Sequence, residues 1–211
     1  MKLLMTCVLA AMLAGLTVPA IANSVALGDF QTGLGDWMTD GPVSISSGVA
    51  VLEENPSGLM TSLWLEFAMP AQALSLSFHS ALTASPDGSG GFPLPDTLQV
   101  SLLRPGTYEP ILSTAGFSDF YGLDNTGDSR FGPLVMVADT EILLNVSSVP
   151  SGTEAVLFFD LLGGGDGMAT RVEVDDVIIM TGVIPEPLTL SGVWLGVLSI
   201  AGYLRRRRRH E

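Results

Sequence analysis

The 211-residue chain is 47% hydrophobic and only 15% charged, which excludes an acidic disordered protein and leaves room for one ordinary domain plus targeting segments. Between Asn23 and Ile184 there are twenty acidic side chains against three arginines (Arg104, Arg130 and Arg171), a formal charge of −17 that repels nucleic acid and anionic lipid. The single cysteine, Cys7, and the single lysine, Lys2, both precede Asn23, so the segment after it has no thiol and no amine side chain for chemistry.

The start, "MKLLMTCVLAAMLAGLTVPAIANS", has one basic residue, an apolar stretch from Leu3 to Val18, and a small-x-small site at Ala20-Ile21-Ala22. This pattern predicts a secretory signal peptide over 1–22, cut by signal peptidase between Ala22 and Asn23. The competing reading is an uncleaved N-terminal anchor. Cys7 is not placed for lipid attachment at the cleavage point.

From Ser24 to Gly182 the chain reads as strands and turns, and the ectodomain is taken as 23–183. "VSISSGVAVLEE" alternates around a Ser-Ser-Gly turn, and "LMTSLWLEFAMP" and "ALSLSFHSAL" are two β-rich runs joined at Pro70. "DTLQVSLL" alternates from Thr97, and "PLVMVADTEILLNV" carries two short strands. "EAVLFFDLL" is nearly all apolar, as a central strand of a two-layer core would be, and "TRVEVDDVIIM" closes the domain. Short strands with turn signals between them and no helical period predict an all-β, jelly-roll-like sandwich. Three segments read as loops: "TASPDGSGGFPLP", "GFSDFYGLDNTGDSRFGP" and "LLGGGDGMAT".

The chain ends "IPEPLTLSGVWLGVLSIAGYLRRRRRHE". Leu188 to Leu204 is an uncharged run that would reach about 26 Å as a helix, the lower limit for a bilayer span. Arg205, Arg206, Arg207, Arg208 and Arg209 would hold the following end in the cytoplasm. A plain anchor needs no Pro185-Glu186-Pro187 outside the span; two prolines around a glutamate keep an extended strip that joins neither helix nor sheet.

That order of Pro-Glu-Pro, short span, arginine cluster and chain end resembles the PEP-CTERM sorting signal of Gram-negative bacteria. The resemblance covers 184–211. It implies recognition by an exosortase-like membrane transpeptidase, removal of the tail, and delivery through the inner membrane to the cell surface or extracellular matrix, alongside exopolysaccharide. A simple tail anchor is the alternative. A second resemblance concerns the domain ends: "LGDFQTGLGDW" and "TRVEVDDVIIM" are similar to the first and last strands of jelly-roll carbohydrate-binding modules.

Chemistry is sparse. The ectodomain has one histidine, His79, at strand spacing, and no G-x-S-x-G, so a nucleophilic hydrolase lacks its parts. A glycosidase built on two carboxylates is formally open, but their separation is not in the sequence. The expectation is a non-enzymatic protein.

Hard cations take carboxylate and carbonyl oxygens, and for calcium the acids in turns and near strand ends are Asp29, Asp160, Asp166, Asp175 and Asp176. The resemblance implies a structural calcium tying the two domain ends together; "LDNTGDSR", with Asp124, Asn125 and Asp128, is a second grouping. Sugars stack on aromatic faces while amides and carboxylates read their hydroxyls. The loop aromatics are Phe92, Tyr108, Phe117, Phe120 and Tyr121, near Asp119, Asp124 and Asn125; Tyr108, Tyr121, Asp124 and Asn125 are the expected sugar contacts. Trp37 and Trp64 lie in or beside predicted strands and read as core.

Overall fold

The computed structural model describes residues 23–55, 58–86, 95–112, 118–163 and 168–182; the expected signal peptide, the Pro-Glu-Pro motif, the span and the arginine cluster lie outside them. Among the described residues no helix is long and apolar enough to cross a membrane. Ala22–Gly182 form one compact unit.

The described residues of this unit form thirteen strands: β1 (Asn23–Gly28), β2 (Met38–Asp40), β3 (Val43–Ser46), β4 (Val49–Glu53), β5 (Met60–Ala68), β6 (Ala73–Pro86), β7 (Thr97–Leu103), β8 (Asp119–Asp124), β9 (Ser129–Phe131), β10 (Val135–Ala138), β11 (Glu141–Asn145), β12 (Glu154–Leu162) and β13 (Met168–Thr181). The predicted runs form β3 to β7 and β10 to β13. Ser47 and Gly48 turn the β3–β4 hairpin with φ of 55° and 82°, the left-handed pair a tight hairpin requires.

One sheet runs β10-β11-β6-β13-β4-β3, with β1 also on β13; the other runs β2-β5-β12-β7-β8-β9. All pairings among the described strands are antiparallel. The chain passes repeatedly between the sheets, as in jelly-roll-like sandwiches. β1 lies along the end of β13, so the two chain ends of the domain are neighbours in one sheet.

Alternation along each strand supplies the core. Leu76 and Phe78 of β6, Val172 and Val174 of β13, Leu63 and Leu65 of β5, and Leu157, Phe159 and Leu161 of β12 are buried between the sheets. Phe78 meets Phe159 edge-on across the interface, with ring centroids 4.9 Å apart. Trp37 packs on Phe30 and Phe159, and its Nε1–H donates to the Leu27 carbonyl at 2.8 Å.

One expected loop is a hairpin instead. "GFSDFYGLDNTGDSRFGP" contributes β8 and β9, which extend the six-stranded sheet. Its Gly and Asp content reads as turn, but Phe120 and Tyr121 are needed to close the sandwich: both are buried against Phe78.

Candidate functional site

β12 contains two consecutive phenylalanines, and in a strand consecutive side chains face opposite ways. Phe159 faces the core, so Phe158 and Asp160 face outward from the six-stranded sheet. Register then sets the neighbours. Met38, Trp64, Phe158, Ser101 and Asp119 form one row across β2, β5, β12, β7 and β8. Asp40, Ser62, Asp160, Gln99, Gly122 and Arg130 form the adjoining row, continued into β9.

Trp64 and Phe158 stack with centroids 5.9 Å apart and planes 21° from parallel. Tyr108, from the turn after β7, adds a third ring 6.1 Å from Phe158 and stays 59% exposed. Tyr108 has φ 55°, an outlier for a bulky side chain, held by its N–H donating to the Arg104 carbonyl at 2.9 Å. The turn therefore spends backbone strain in carrying an aromatic ring beside the sheet. The result is a strip of three rings on the solvent side of the sandwich.

Polar groups border the strip. Ser62 Oγ donates to Asp160 Oδ1 at 2.6 Å. Burial raises the Asp160 carboxyl above the usual carboxylate range, with the Ser62 hydroxyl opposing in part. At the far end Arg130 Nε donates to the buried Asp119 Oδ2 at 3.0 Å. Gly122 makes that contact possible: a Cβ there would meet Arg130 Nε at 3.0 Å and Cγ at 3.1 Å.

The expected site residues are distributed differently. Tyr108 belongs to the strip. Tyr121 does not: it is 3% exposed, its ring faces Phe78, and burial pushes its phenol pKa up. Phe120 is likewise core. Trp64 is the reverse correction, a residue read as core that sits on the outer face. Asp124 is occupied by its own turn: Oδ1 accepts from the Thr126 hydroxyl at 2.6 Å and from the backbone N–H groups of Thr126 and Asp128, and the Thr126 hydroxyl leads in lowering its pKa. Asn125 ties that turn to Asp96 through backbone and side chain. Phe92, Phe117 and Asp166 lie outside the described residues.

Asp29, Asp175 and Asp176 approach one another where β13 bulges between Asp175 and Ile178. Asp176 has φ 49° and its Oδ2 lies 3.6 Å from His79 Nδ1. The Asp175 pKa is raised by burial, with Asp176 and Asp29 adding and His79 opposing. Asp160 is in the other sheet and not part of this group. A further oxygen-rich point, missed in the sequence, is Gly163, where a Cβ would meet Asp96 Oδ1 at 2.8 Å and Glu54 Oε1 at 2.9 Å; Thr170 Oγ1 donates to Asp96. Among the described residues no three His, Cys, Asp or Glu side chains gather around a single metal position.

No protein-family model matches the chain, and no curated protein matches it. Solved structures do resemble it. The carbohydrate recognition domain of Emp47p is 14% identical, over 75% of this chain and 95% of that one, with a TM-score of 0.45. The N-terminal cellulose-binding domain of Cellulomonas fimi β-1,4-glucanase C is 19% identical, over 76% and 99%, with a TM-score of 0.43. The family 11 carbohydrate-binding module of the Clostridium thermocellum cellulase Lic26A-Cel5E is 13% identical, over 77% and 96%, with a TM-score of 0.40. A shared sandwich does not transfer a ligand.

Proposed function

We propose that this is an exported, non-enzymatic β-sandwich that holds a polysaccharide chain along the Trp64–Phe158–Tyr108 strip. The observation that carries the reading is three rings placed outside the core and bordered by the partly exposed Asp160 and Gln99. Solvent-facing strand positions need no aromatics, and rings beside hydrogen-bonding groups suit a sugar's apolar face and hydroxyls. Retarded migration of 22–182 in polysaccharide-containing gels tests this. Trp64→Ala and Phe158→Ala each weaken binding about tenfold or more, whereas His79→Ala on the opposite sheet leaves it unchanged. Binding that survives both aromatic losses removes the strip from the site.

In the same reading the protein is sorted through its Pro185-Glu186-Pro187 tail by an exosortase-like transpeptidase and acts at the cell surface or in the matrix with exopolysaccharide. The tail's composition and order support this. The intact mass of the native protein decides it: a species ending near Pro187 supports sorting, and one retaining Leu188 to Glu211 refutes it. Calcium belongs to the same proposal, at the Asp29–Asp175–Asp176 bulge or at Glu54–Asp96. A calcium-induced rise in melting temperature that Asp175→Asn or Asp96→Asn abolishes assigns the ion to one of them; no rise removes calcium.

A further inference from the structure

We propose that the glycan held by the strip carries positive charge: a polymer of amino sugars with free amines. This rests on the strip being a glycan site and specifies what kind. The outer face around the rings carries carboxylates. Asp160 adjoins Phe158 along β12, Asp40 pairs with Ser62 beside Trp64, and Glu66 follows Trp64 on β5. No lysine lies in the domain. Arg130 on this face has its charge matched by Asp119 at 3.0 Å, and the exposed Arg104 stands in the Tyr108 turn with Glu109, to which it is joined through the backbone.

An ammonium group suits this surface twice over. Aromatic faces attract cations through the ring quadrupole. Asp160 is a half-buried carboxylate at the edge of those rings, and a buried charge gains most from a partner of opposite sign. A polyuronate would meet the opposite conditions, with carboxylates facing carboxylates in a domain whose formal charge is −17. A neutral glycan would use the rings but leave Asp160 and Asp40 without a charge partner. The chemistry therefore favours a chain that alternates ring stacking with ammonium-carboxylate contacts.

The unit 22–182 contains both sheets and the whole core, so it is tested alone. The probes are β-1,4-linked glucosamine oligosaccharides, their fully N-acetylated counterparts, and an oligouronate of similar length, compared by calorimetry. The expected result is a preference of about tenfold or more for the free amine, weakening with added salt, and no uronate binding. In Asp160→Asn, where the amide oxygen still accepts from Ser62, and in Asp40→Asn, an exposed position, that preference shrinks toward unity. Equal or tighter binding of the acetylated oligomer overturns the charge inference and leaves the glycan site standing, as does a preference that both variants retain. Tighter binding of the uronate also overturns it. If no oligosaccharide binds, the glycan site itself fails, and the charge inference with it.

Discussion

The central strands of the two sheets obey the same alternation and turn different chemistry outward. On the seven-stranded sheet the outward positions of β6 are Ser75, Ser77, His79, Ala81, Thr83 and Ser85, and those of β13 include Arg171 and Glu173, which pair at 2.8 Å. These are small, polar or charged groups, and the exposed apolar side chains of this sheet lie elsewhere, among them Val25 on β1 and Met136 on β10. On the six-stranded sheet the equivalent positions carry Trp64, Phe158 and the half-buried Asp160. Solubility and folding require only the first kind of face. The second keeps apolar rings in water, which is expected of a surface that meets a partner.

The contrast is tested most strongly within β12. Phe159→Ala empties the centre of the core and costs about 3–5 kcal/mol in urea unfolding. Phe158→Ala, one residue earlier, costs about 1–2 kcal/mol because its ring lies partly exposed on the outer face, against Trp64 and Tyr108. Equal costs would mean that Phe158 is structural and that the two faces do not differ as described. Next in size, Arg130→Ala strands the buried Asp119 carboxylate and costs about 3 kcal/mol by the same measurement. A neutral result would show that this ion pair does not hold the β8–β9 edge.

A smaller effect appears against pH. The Asp160 pKa is raised in the fold, so in the window above the ordinary carboxylate range the folded chain still holds a proton that the unfolded chain has released. Stability therefore falls as pH rises through that window. Asp160→Asn flattens the fall in a melting-temperature profile, leaving the contribution of Asp175, which acts in the same direction. Asp124, with its lowered pKa, acts in the opposite sense at lower pH. A profile unchanged by Asp160→Asn would contradict the burial of that carboxyl.

Smallest is Tyr108→Gly. Glycine adopts φ 55° without strain, so the variant gains about 1 kcal/mol in thermal unfolding while losing glycan affinity. Stability and binding moving together would mean that the Tyr108 ring serves the fold rather than the face.

Much of the fold was legible because alternation is local. The strands β3 to β7 and β10 to β13 stand in the sequence as apolar-polar runs between Gly, Pro and Asp turns. β8 and β9 were hidden because "DFYGLD" and "SRF" are short and rich in turn formers. Their strand state comes from pairing with β7 and from Phe120 and Tyr121 filling the interior. The site was legible only in part. Tyr108 was singled out as a loop aromatic, and the consecutive pair Phe158-Phe159 requires that one ring face outward.

The sequence by itself determined an all-β, strongly acidic domain without thiol or lysine, and one outward phenylalanine in β12, because composition and period-two alternation are properties of neighbours along the chain. Only the tertiary structure decided which phenylalanine that was, that Trp64 lies opposite it, that Tyr121 is buried, and that Asp160 lies beside the rings. Those facts depend on register between strands far apart in the chain, where a slip of one residue would exchange the two faces.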